Sequence, residues 1–230
     1  MKHTFFKIEF ALVAAILACS CSFMAKADDS APTIITVPVS DFSEIKITAT
    51  SSDYSRGMWG YPGISIVQTG DSWGSVSYNQ ICSDYIKAEV VGGVLTMNVD
   101  CMFLSPRSGW NPRDGMIDAI TISVPKKAKL KSIVNEGEYY TNMTLVDVKL
   151  PSLSITASNR VNLLNCKIGS LSWQPYYGRP LARMCEYNMN LTCTVLKKLL
   201  VPSASASSFR LNNTYGSKVD EVEWYNNLSR

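Results

Sequence analysis

The chain has 230 residues, with 22 Lys and Arg, 19 Asp and Glu and one histidine. A predicted leader at residues 1–27 carries Lys2, Lys7, Lys26 and Glu9, so that 19 basic and 18 acidic residues follow it. This near-neutral balance gives no electrostatic reason to expect nucleic acid or an anionic membrane as partner. The histidine, His3, also lies in the leader, which excludes an imidazole base, a His-ligated zinc and a Ser/His/Asp or Cys/His catalytic arrangement from the exported chain.

Residues 1–27 have the order of an export signal. Lys2 and Lys7 precede an apolar run over 10–18, and Ala25-Lys26-Ala27 supplies an A-x-A cleavage pattern. The apolar run is too short for a permanent transmembrane helix. We therefore predict a signal peptide over 1–27, a mature chain from Asp28 in the periplasm or on the cell surface, and no transmembrane segment after cleavage.

A second interpretation of the leader stays open. Ile16-Leu17-Ala18-Cys19 resembles a bacterial lipoprotein cleavage box, which would anchor the chain through a lipid on Cys19. The residues after Cys19 remain apolar, whereas a lipoprotein usually becomes polar at that point. We therefore favour A-x-A cleavage over lipid anchoring.

Five cysteines follow the leader, namely Cys82, Cys101, Cys166, Cys185 and Cys193. Their odd number leaves at least one thiol unpaired in an oxidising compartment. Conceivable bridges join Cys82 to Cys101, and Cys185 to Cys166 or Cys193. We favour the simpler interpretation that they are small buried residues. Their spacing matches no metal-ligand pattern, and we predict no metal and no cofactor.

The segment 28–125 is predicted to be rich in strands. Alternating apolar residues indicate strands at 35–39, 45–47, 63–67, 75–78, 85–90, 94–99 and 119–125. Gly92-Gly93, between Val91 and Val94, predicts a tight hairpin turn because glycine enters positive φ without steric cost. The Gly- and Pro-rich stretches 50–63 and 102–116 are predicted loops, and no helical periodicity follows the leader.

Residues 126–224 contain a repeat. LKSIVN, LPSLSI, IGSLSW, LKKLLV and VDEVEW begin at Leu130, Leu150, Ile168, Leu196 and Val219. Each has apolar first and fourth residues, and the last four also have an apolar sixth residue. The starts lie 20, 18, 28 and 23 residues apart, the spacing of one solenoid coil. A single coil is too small to bury its apolar side, but a stack lines one core. We predict an all-β solenoid as one domain over 28–230, with a strand-rich part at 28–125 and regular coils at 126–224.

Four further stretches share a spacing of apolar residues and turns: Phe42-x-x-Ile45-x-Ile47; 64–67 with Gln68-Thr69-Gly70; Val91-Gly92-Gly93-Val94-Leu95-Thr96-Met97; and 120–125 leading into Leu130-Lys131-Ser132-Ile133. Over roughly residues 35–224 the chain resembles the head GIN domain family of bacterial exported proteins, often labelled auto-transporter adhesins. The resemblance implies a right-handed, single-stranded β-helix-like fold, export and an adhesive surface role. It supplies no catalytic residues.

The chain departs from that family at the corners of its coils. The family commonly has glycine there, whereas Ala157-Ser158-Asn159 and Ser203-Ala204-Ser205 lack it, and one coil is lengthened to 28 residues. These departures affect any shared ligand site more than the stack itself.

Six aromatic residues in or beside the Gly/Pro-rich insertions are the candidate ligand-binding residues: Trp59, Tyr61, Trp110, Trp173, Tyr176 and Tyr177. Flat rings on loops stack on sugar faces or anchor a protein partner. The stretch WQPYYGRP at 173–180 is the sharpest candidate, because it lengthens one coil. The competing interpretation, which is the commoner one, is that these rings cap the β core and shield its backbone edges from water.

A pair of carboxylates would indicate a glycan-cleaving β-helix enzyme. The nearest pairs are Asp114 with Asp118 and Glu136 with Glu138. Acidic residues do not recur at matching places in successive coils, so solvated turns are favoured over a catalytic pair or a row of calcium sites. We predict no catalytic residue.

Asparagines recur in the coils, at Asn162, Asn165, Asn188, Asn190, Asn212 and Asn213. We expect them at the coil ends, where their amides satisfy exposed backbone groups.

Together these features predict a non-enzymatic binding or adhesion module of the bacterial cell envelope, with a glycan or a surface protein as its ligand. One alternative is a carbohydrate-active β-helix enzyme, a lyase or glycosidase that uses acidic residues. A second alternative is a purely structural envelope protein. The sequence leaves the oligomeric state open.

Overall fold

A computed structural model describes residues 33–50, 63–100, 120–136, 143–157, 160–176 and 187–226. The leader, with both of its cleavage alternatives, lies outside these residues. The strands are β1 Ile34–Val39, β2 Glu44–Thr50, β3 Ile64–Thr69, β4 Gly74–Asn79, β5 Ile86–Val91, β6 Val94–Asp100, β7 Ile120–Pro125, β8 Ser132–Asn135, β9 Met143–Val146, β10 Lys149–Ala157, β11 Arg160–Leu164, β12 Lys167–Pro175, β13 Tyr187–Thr192, β14 Val195–Pro202, β15 Phe209–Asn213 and β16 Lys218–Tyr225. No helix in these ranges is long and apolar enough to cross a bilayer.

Two open sheets of eight strands each contain all of these strands. Sheet A has the order β1-β4-β7-β3-β9-β11-β13-β15, and sheet B has the order β16-β14-β12-β10-β8-β2-β6-β5. Most neighbours are parallel, and the antiparallel pairs are β1 with β4, β4 with β7 and β5 with β6. The prediction of an all-β chain is confirmed over the ranges that the structure describes.

From β8 onward the chain alternates between the two sheets. Each strand from β8 to β14 pairs in parallel with the strand two places further along the chain. Leu150 pairs with Ile168, Ile168 with Leu196, and Leu196 with Val219. These partners confirm the repeat offsets of 18, 28 and 23 residues predicted from the sequence.

The first repeat has a different register from the predicted one. Ile133 pairs with Ile155 and Ser132 with Ser154, so Leu130 is not the partner of Leu150. The offset is two residues longer than the predicted 20. A shift of two residues keeps every side chain on the same face of the sheet, so the apolar pattern by itself does not distinguish the two registers.

The N-terminal strands do not stack in chain order. β2 pairs with β6 on one side and β8 on the other, and β3 likewise lies between β7 and β9. The later strands β6 and β7 therefore pair with β2 and β3 before the regular alternation begins at β8. The predicted hairpin is confirmed, because Val91 pairs with Val94, and Gly92 and Gly93 have φ of 60° and 78°.

The buried side chains of both sheets form one hydrophobic cluster. Parallel pairing places Ile45, Ile133, Ile155 and Trp173 in one inward column across four strands of sheet B, and each is at most 1% exposed. Burying an aliphatic side chain of this size stabilises the fold by about 1.5–3 kcal/mol. The core thus depends on register, because each coil covers the apolar residues of the next.

A second column forms the turn from sheet A to sheet B. Asp147, Asn165, Cys193 and Gly216 occupy this turn in four successive coils and have φ of 58°, 53°, 50° and 73°. Asn165 Nδ2 donates a hydrogen bond to Asp147 Oδ1. Asp and Asn tolerate the left-handed region better than most residues and glycine enters it freely, so three of the four residues suit the turn.

The last strand leaves part of the core open. Val222 and Trp224 of β16 continue inward columns through Leu199 and Val201, yet they are 40% and 45% exposed. The same strand carries Asp220, Glu221 and Glu223, and charged side chains on an edge strand discourage pairing with another chain.

Gly169 is a position where the close approach of two coils requires glycine. A Cβ built there would lie 2.3 Å from the carbonyl oxygen of Pro151 on the adjacent strand. We expect Gly169→Ala to lower the free energy of unfolding by about 1–3 kcal/mol, because backbone atoms must separate. Chemical denaturation measures the change. Gly70→Ala, where nothing lies within 4 Å, is the control, and equal effects of the two substitutions would contradict the packing.

The expectation of buried cysteines is confirmed for two of the three that the structure describes. Cys82 and Cys166 are buried and Cys193 is exposed, and all three are unpaired. For Cys193 the expectation is wrong, because this residue occupies the left-handed turn at the surface. Burial raises the pKa of Cys82 and of Cys166 from 9.0 to about 11. Cys101 and Cys185 lie outside the described ranges.

These environments predict a difference in alkylation. At mildly basic pH we expect iodoacetamide to modify Cys193 and to leave Cys82 and Cys166 unmodified until the chain unfolds, because only a thiolate reacts. Peptide mass spectrometry measures the alkylation, and equal rates at Cys166 and Cys193 would contradict the burial.

Burial of Cys82 and Cys166 also predicts a pH dependence of stability. The free energy of unfolding should fall as pH rises from about 9 to about 11, where the unfolded thiols lose protons that the folded ones keep.

Candidate functional site

The strongest aromatic candidate lies in the core. Trp173 is part of β12 and is 1% exposed, with its ring centroid 5.2 Å from that of Tyr187 and 4.8 Å from that of Phe209. A ring enclosed in this way offers no face to a ligand, so the expected ligand contact is corrected to core packing. The alternation of Leu171, Trp173 and Pro175, which are all buried, is the signal that favours this role.

Of the other aromatic candidates, the structure describes Tyr176. Tyr176 follows β12 and is half-buried, and its backbone N–H donates to the Ala157 carbonyl at 3.2 Å. Trp59, Tyr61, Trp110 and Tyr177 lie outside the ranges that the structure describes. Their role as ligand-binding residues stays a prediction.

The acidic candidates are only partly described. Glu136 Oε1 lies 3.1 Å from Lys46 Nζ, so its carboxylate is in an ion pair between adjacent strands. Asp114, Asp118 and Glu138 fall in the undescribed ranges. Over the described part of the chain, no group of three or more His, Cys, Asp or Glu side chains is placed to hold a metal ion.

A surface depression of about 380 Å³ lies beside the N-terminal ends of β2 and β6 in sheet B. It is lined by Asp41, Phe42, Ser43, Gly93, Lys127, Ala128 and Lys129. Two of its backbone carbonyls already have partners, since Ser43 and Glu44 donate to the Gly93 carbonyl and Lys131 donates to the Ser43 carbonyl. Ligand sites usually combine an apolar pocket with converging polar groups. The lining of this depression has two apolar side chains, Phe42 and Ala128, and three charged ones, Asp41, Lys127 and Lys129.

The outer face of sheet A carries an unbroken column of small polar side chains. Strand register aligns Thr36, Ser77, Thr121, Ser65, Thr144, Asn162, Asn190 and Asn212, one from each of its eight strands. The members are half-buried or exposed. With strands about 4.8 Å apart, this polar column crosses roughly 34 Å of the sheet.

Side-chain hydrogen bonds connect six of the eight members of the polar column. Asn212 Nδ2 donates to Asn190 Oδ1 at 2.8 Å, and Asn190 Nδ2 donates to Asn162 Oδ1 at 2.8 Å. Asn162 Nδ2 donates to Thr144 Oγ1 at 3.2 Å, and at the other end the hydroxyl oxygens of Thr36 and Ser77 are 2.9 Å apart. Each amide nitrogen has a second N–H beyond the one used in the column. The column is therefore ordered and retains hydrogen-bonding capacity.

These bonds correct the expected role of the asparagines. Asn162, Asn190 and Asn212 lie within strands and bond to one another or to Thr144, not to backbone at the coil ends. Asn165 does lie at a turn, where it bonds to Asp147. The sequence contains a signal for the column, since each of these three asparagines follows a Val, Met or Leu at one position per coil.

Charge is distributed unequally between the two sheets. The strands of sheet A contain no Asp, Glu or Lys, and their charged residues are Arg160 and Arg210. The strands of sheet B contain all the acidic strand residues, namely Glu44, Glu89, Asp100, Asp220, Glu221 and Glu223, together with Lys46, Lys87, Lys149, Lys167, Lys197, Lys198 and Lys218. Sheet A thus presents an extended face that is uncharged apart from two arginines.

Ion pairs on sheet B partly neutralise its charges. Lys198 lies in contact with Glu223 and 3.8 Å from Glu221, and hydrogen bonding to Glu223 raises the pKa of Lys198. Ser132 Oγ donates to Glu44 Oε2 at 3.1 Å. Such exposed pairs contribute little to stability, but they occupy the polar groups of this face.

No family model and no curated protein matches this chain. Solved structures similar to it include a "putative lipid binding protein" from Parabacteroides distasonis, at 17% identity and a TM-score of 0.48, covering 84% of this chain and 70% of that one. A "putative adhesin" from Parabacteroides merdae has 11% identity and a TM-score of 0.40, covering 84% and 77%. Another "putative adhesin", from Bacteroides fragilis, has 12% identity and a TM-score of 0.34, covering 83% and 97%. At such low identity these names establish no ligand for this chain.

Proposed function

We propose that this chain is a non-enzymatic binding module of the bacterial cell envelope, which recognises a glycan or a surface protein through the outer face of sheet A. The observation that carries the proposal is the polar column, which crosses eight strands without interruption by an acidic residue. An extended polymer or a broad partner surface matches such a face better than a small molecule, which needs a concave pocket.

We further propose that residues 28–230 form one β-solenoid domain after a signal peptide at 1–27. The alternation of β8 to β16 between two sheets supports this interpretation, as does the sharing of both sheets by strands from 28–125 and 126–224. The right-handed winding and the envelope location rest on the family resemblance and on the leader.

The described side chains support a binding role over catalysis. Glu136, the described member of the candidate carboxylate pairs, is in an ion pair with Lys46. The thiols of Cys82 and Cys166 have raised pKa values because they are buried, and a protonated thiol is a weak nucleophile.

A glycan array combined with a panel of extracellular proteins tests the proposal. We expect the purified chain to bind at least one glycan or protein and to release no new reducing ends from any glycan. Thr144→Tyr places a large ring in the middle of the polar column, where it would block the contacts of the ligand with the neighbouring side chains. The loss of one or two neutral hydrogen bonds should weaken that binding by about tenfold.

Ser154→Tyr is the matched control, because Ser154 lies at a half-buried outward position in the middle of sheet B. Equal binding by wild type and Thr144→Tyr would remove sheet A as the binding face. Binding to no glycan and no protein would favour a structural envelope protein, and release of reducing ends would favour the enzyme.

A further inference from the structure

We infer that the C-terminal part of sheet A binds an acidic polysaccharide, with Arg160 and Arg210 contacting its carboxylate or sulfate groups and the neighbouring asparagines contacting its hydroxyl groups. The inference rests on the proposed function and specifies the chemical class of its ligand.

The two arginines lie in one column beside the polar column. Arg160 pairs with Asn188, and Asn188 pairs with Arg210, on the adjacent strands β11, β13 and β15. Two strand spacings separate the arginines by about 10 Å between Cα atoms. Both side chains are exposed. A planar guanidinium suits carboxylate and sulfate groups because it can donate two parallel hydrogen bonds.

Arg160, Asn188 and Arg210 form the arginine column. Each of the three strands carries one of these residues and one asparagine of the polar column. Asn162, Asn190 and Asn212 follow Arg160, Asn188 and Arg210 at a distance of two residues, which places both members on the same face of the strand. The hydrogen bonds between the asparagines fix the orientation of their amides. On β11 and β15 a guanidinium therefore lies next to an oriented amide, as acidic groups lie next to hydroxyl groups along an acidic polysaccharide, whereas β13 has Asn188 in place of an arginine.

Electrostatics favours an anionic ligand on this sheet over sheet B. An anionic chain lying along the strands of sheet A meets no strand carboxylate, whereas on sheet B it would meet Glu44, Glu89 or the acidic residues of β16. Complementary charge raises the association rate and excludes partners of the wrong sign. Asp147, at the turn that borders sheet A, is already bonded to Asn165.

The composition of the face favours a sugar chain over other anionic polymers. The outward residues of β11, β13 and β15 are Arg160, Asn162, Leu164, Asn188, Asn190, Thr192, Arg210 and Asn212. None of these is an aromatic ring, on which single-stranded nucleic acid would stack. Leu164 is the apolar member of the set, which is less than the apolar centre of a typical protein interface requires.

Titration with three polymers tests the inference. Polygalacturonate carries carboxylates, dextran sulfate carries sulfates, and dextran has the sugar backbone of the latter without the charge. We expect the full chain to bind polygalacturonate, dextran sulfate or both more tightly than dextran, and to bind more weakly as salt is added. Arg160→Glu combined with Arg210→Glu should reduce the affinity by about tenfold or more, because charge-assisted hydrogen bonds are lost and repulsion is added.

Lys87→Glu combined with Lys197→Glu is the matched control. It makes the same change in net charge on exposed residues of sheet B, and the affinity should stay within about threefold of wild type, since surface charges away from the ligand are screened. Arg210 Nη1 donates to the carbonyls of Ser207 and Phe209, so the unfolding temperature of each variant is measured first. If the double arginine variant does not fold, Arg160→Glu alone is compared with Lys87→Glu.

Several results would overturn the inference. Equal affinity for dextran and the acidic polymers would mean that the face does not read charge, and unchanged affinity of the arginine variant would place the ligand elsewhere. Binding to a protein but to none of the three polymers would also overturn it. In each of these cases the proposed binding role would survive. Failure to bind any glycan or protein would remove both.

Discussion

In-register parallel pairing of the strands is the constraint on which the rest of this structure depends. It places equivalent residues of neighbouring strands side by side. A residue type that recurs at one position therefore forms a column, with about 4.8 Å between one strand and the next. Inward columns such as the one through Ile133 and Ile155 make the core. These columns are built from contacts between neighbouring strands, so the stability of the fold depends on those contacts.

The same constraint produces the corner and the candidate binding face. The left-handed residues Asp147, Asn165 and Cys193 follow the coil offsets because each turn from sheet A to sheet B is made at an equivalent place. On the outer face, equivalence places Asn162 beside Asn190, at a separation that lets one amide bond to the next. A column of hydrogen-bonded amides costs little to bury partly, because the amide groups are paired with one another.

The proposed binding surface is the face of a sheet. The depression near Gly93 has a volume of about 380 Å³, whereas the face of sheet A extends over eight strands. Such a face suits an extended ligand, because each strand adds another small polar side chain to the column. The confinement of acidic strand residues to sheet B gives the two faces different electrostatic character, although the chain as a whole is close to neutral.

The sequence by itself determined the all-β class and the glycine hairpin, because alternation and positive φ at Gly92-Gly93 are local properties. It also determined the offsets of the later repeats, because the apolar pattern recurs along the chain. Only the tertiary structure decided which residues meet. The shift of Ile133 by two positions, the return of the chain past β2 and the burial of Trp173 all depend on which strand lies beside which. The polar column is of the same kind: its members are ordinary surface residues in the sequence, and pairing between distant strands brings Thr36 and Asn212 onto one face.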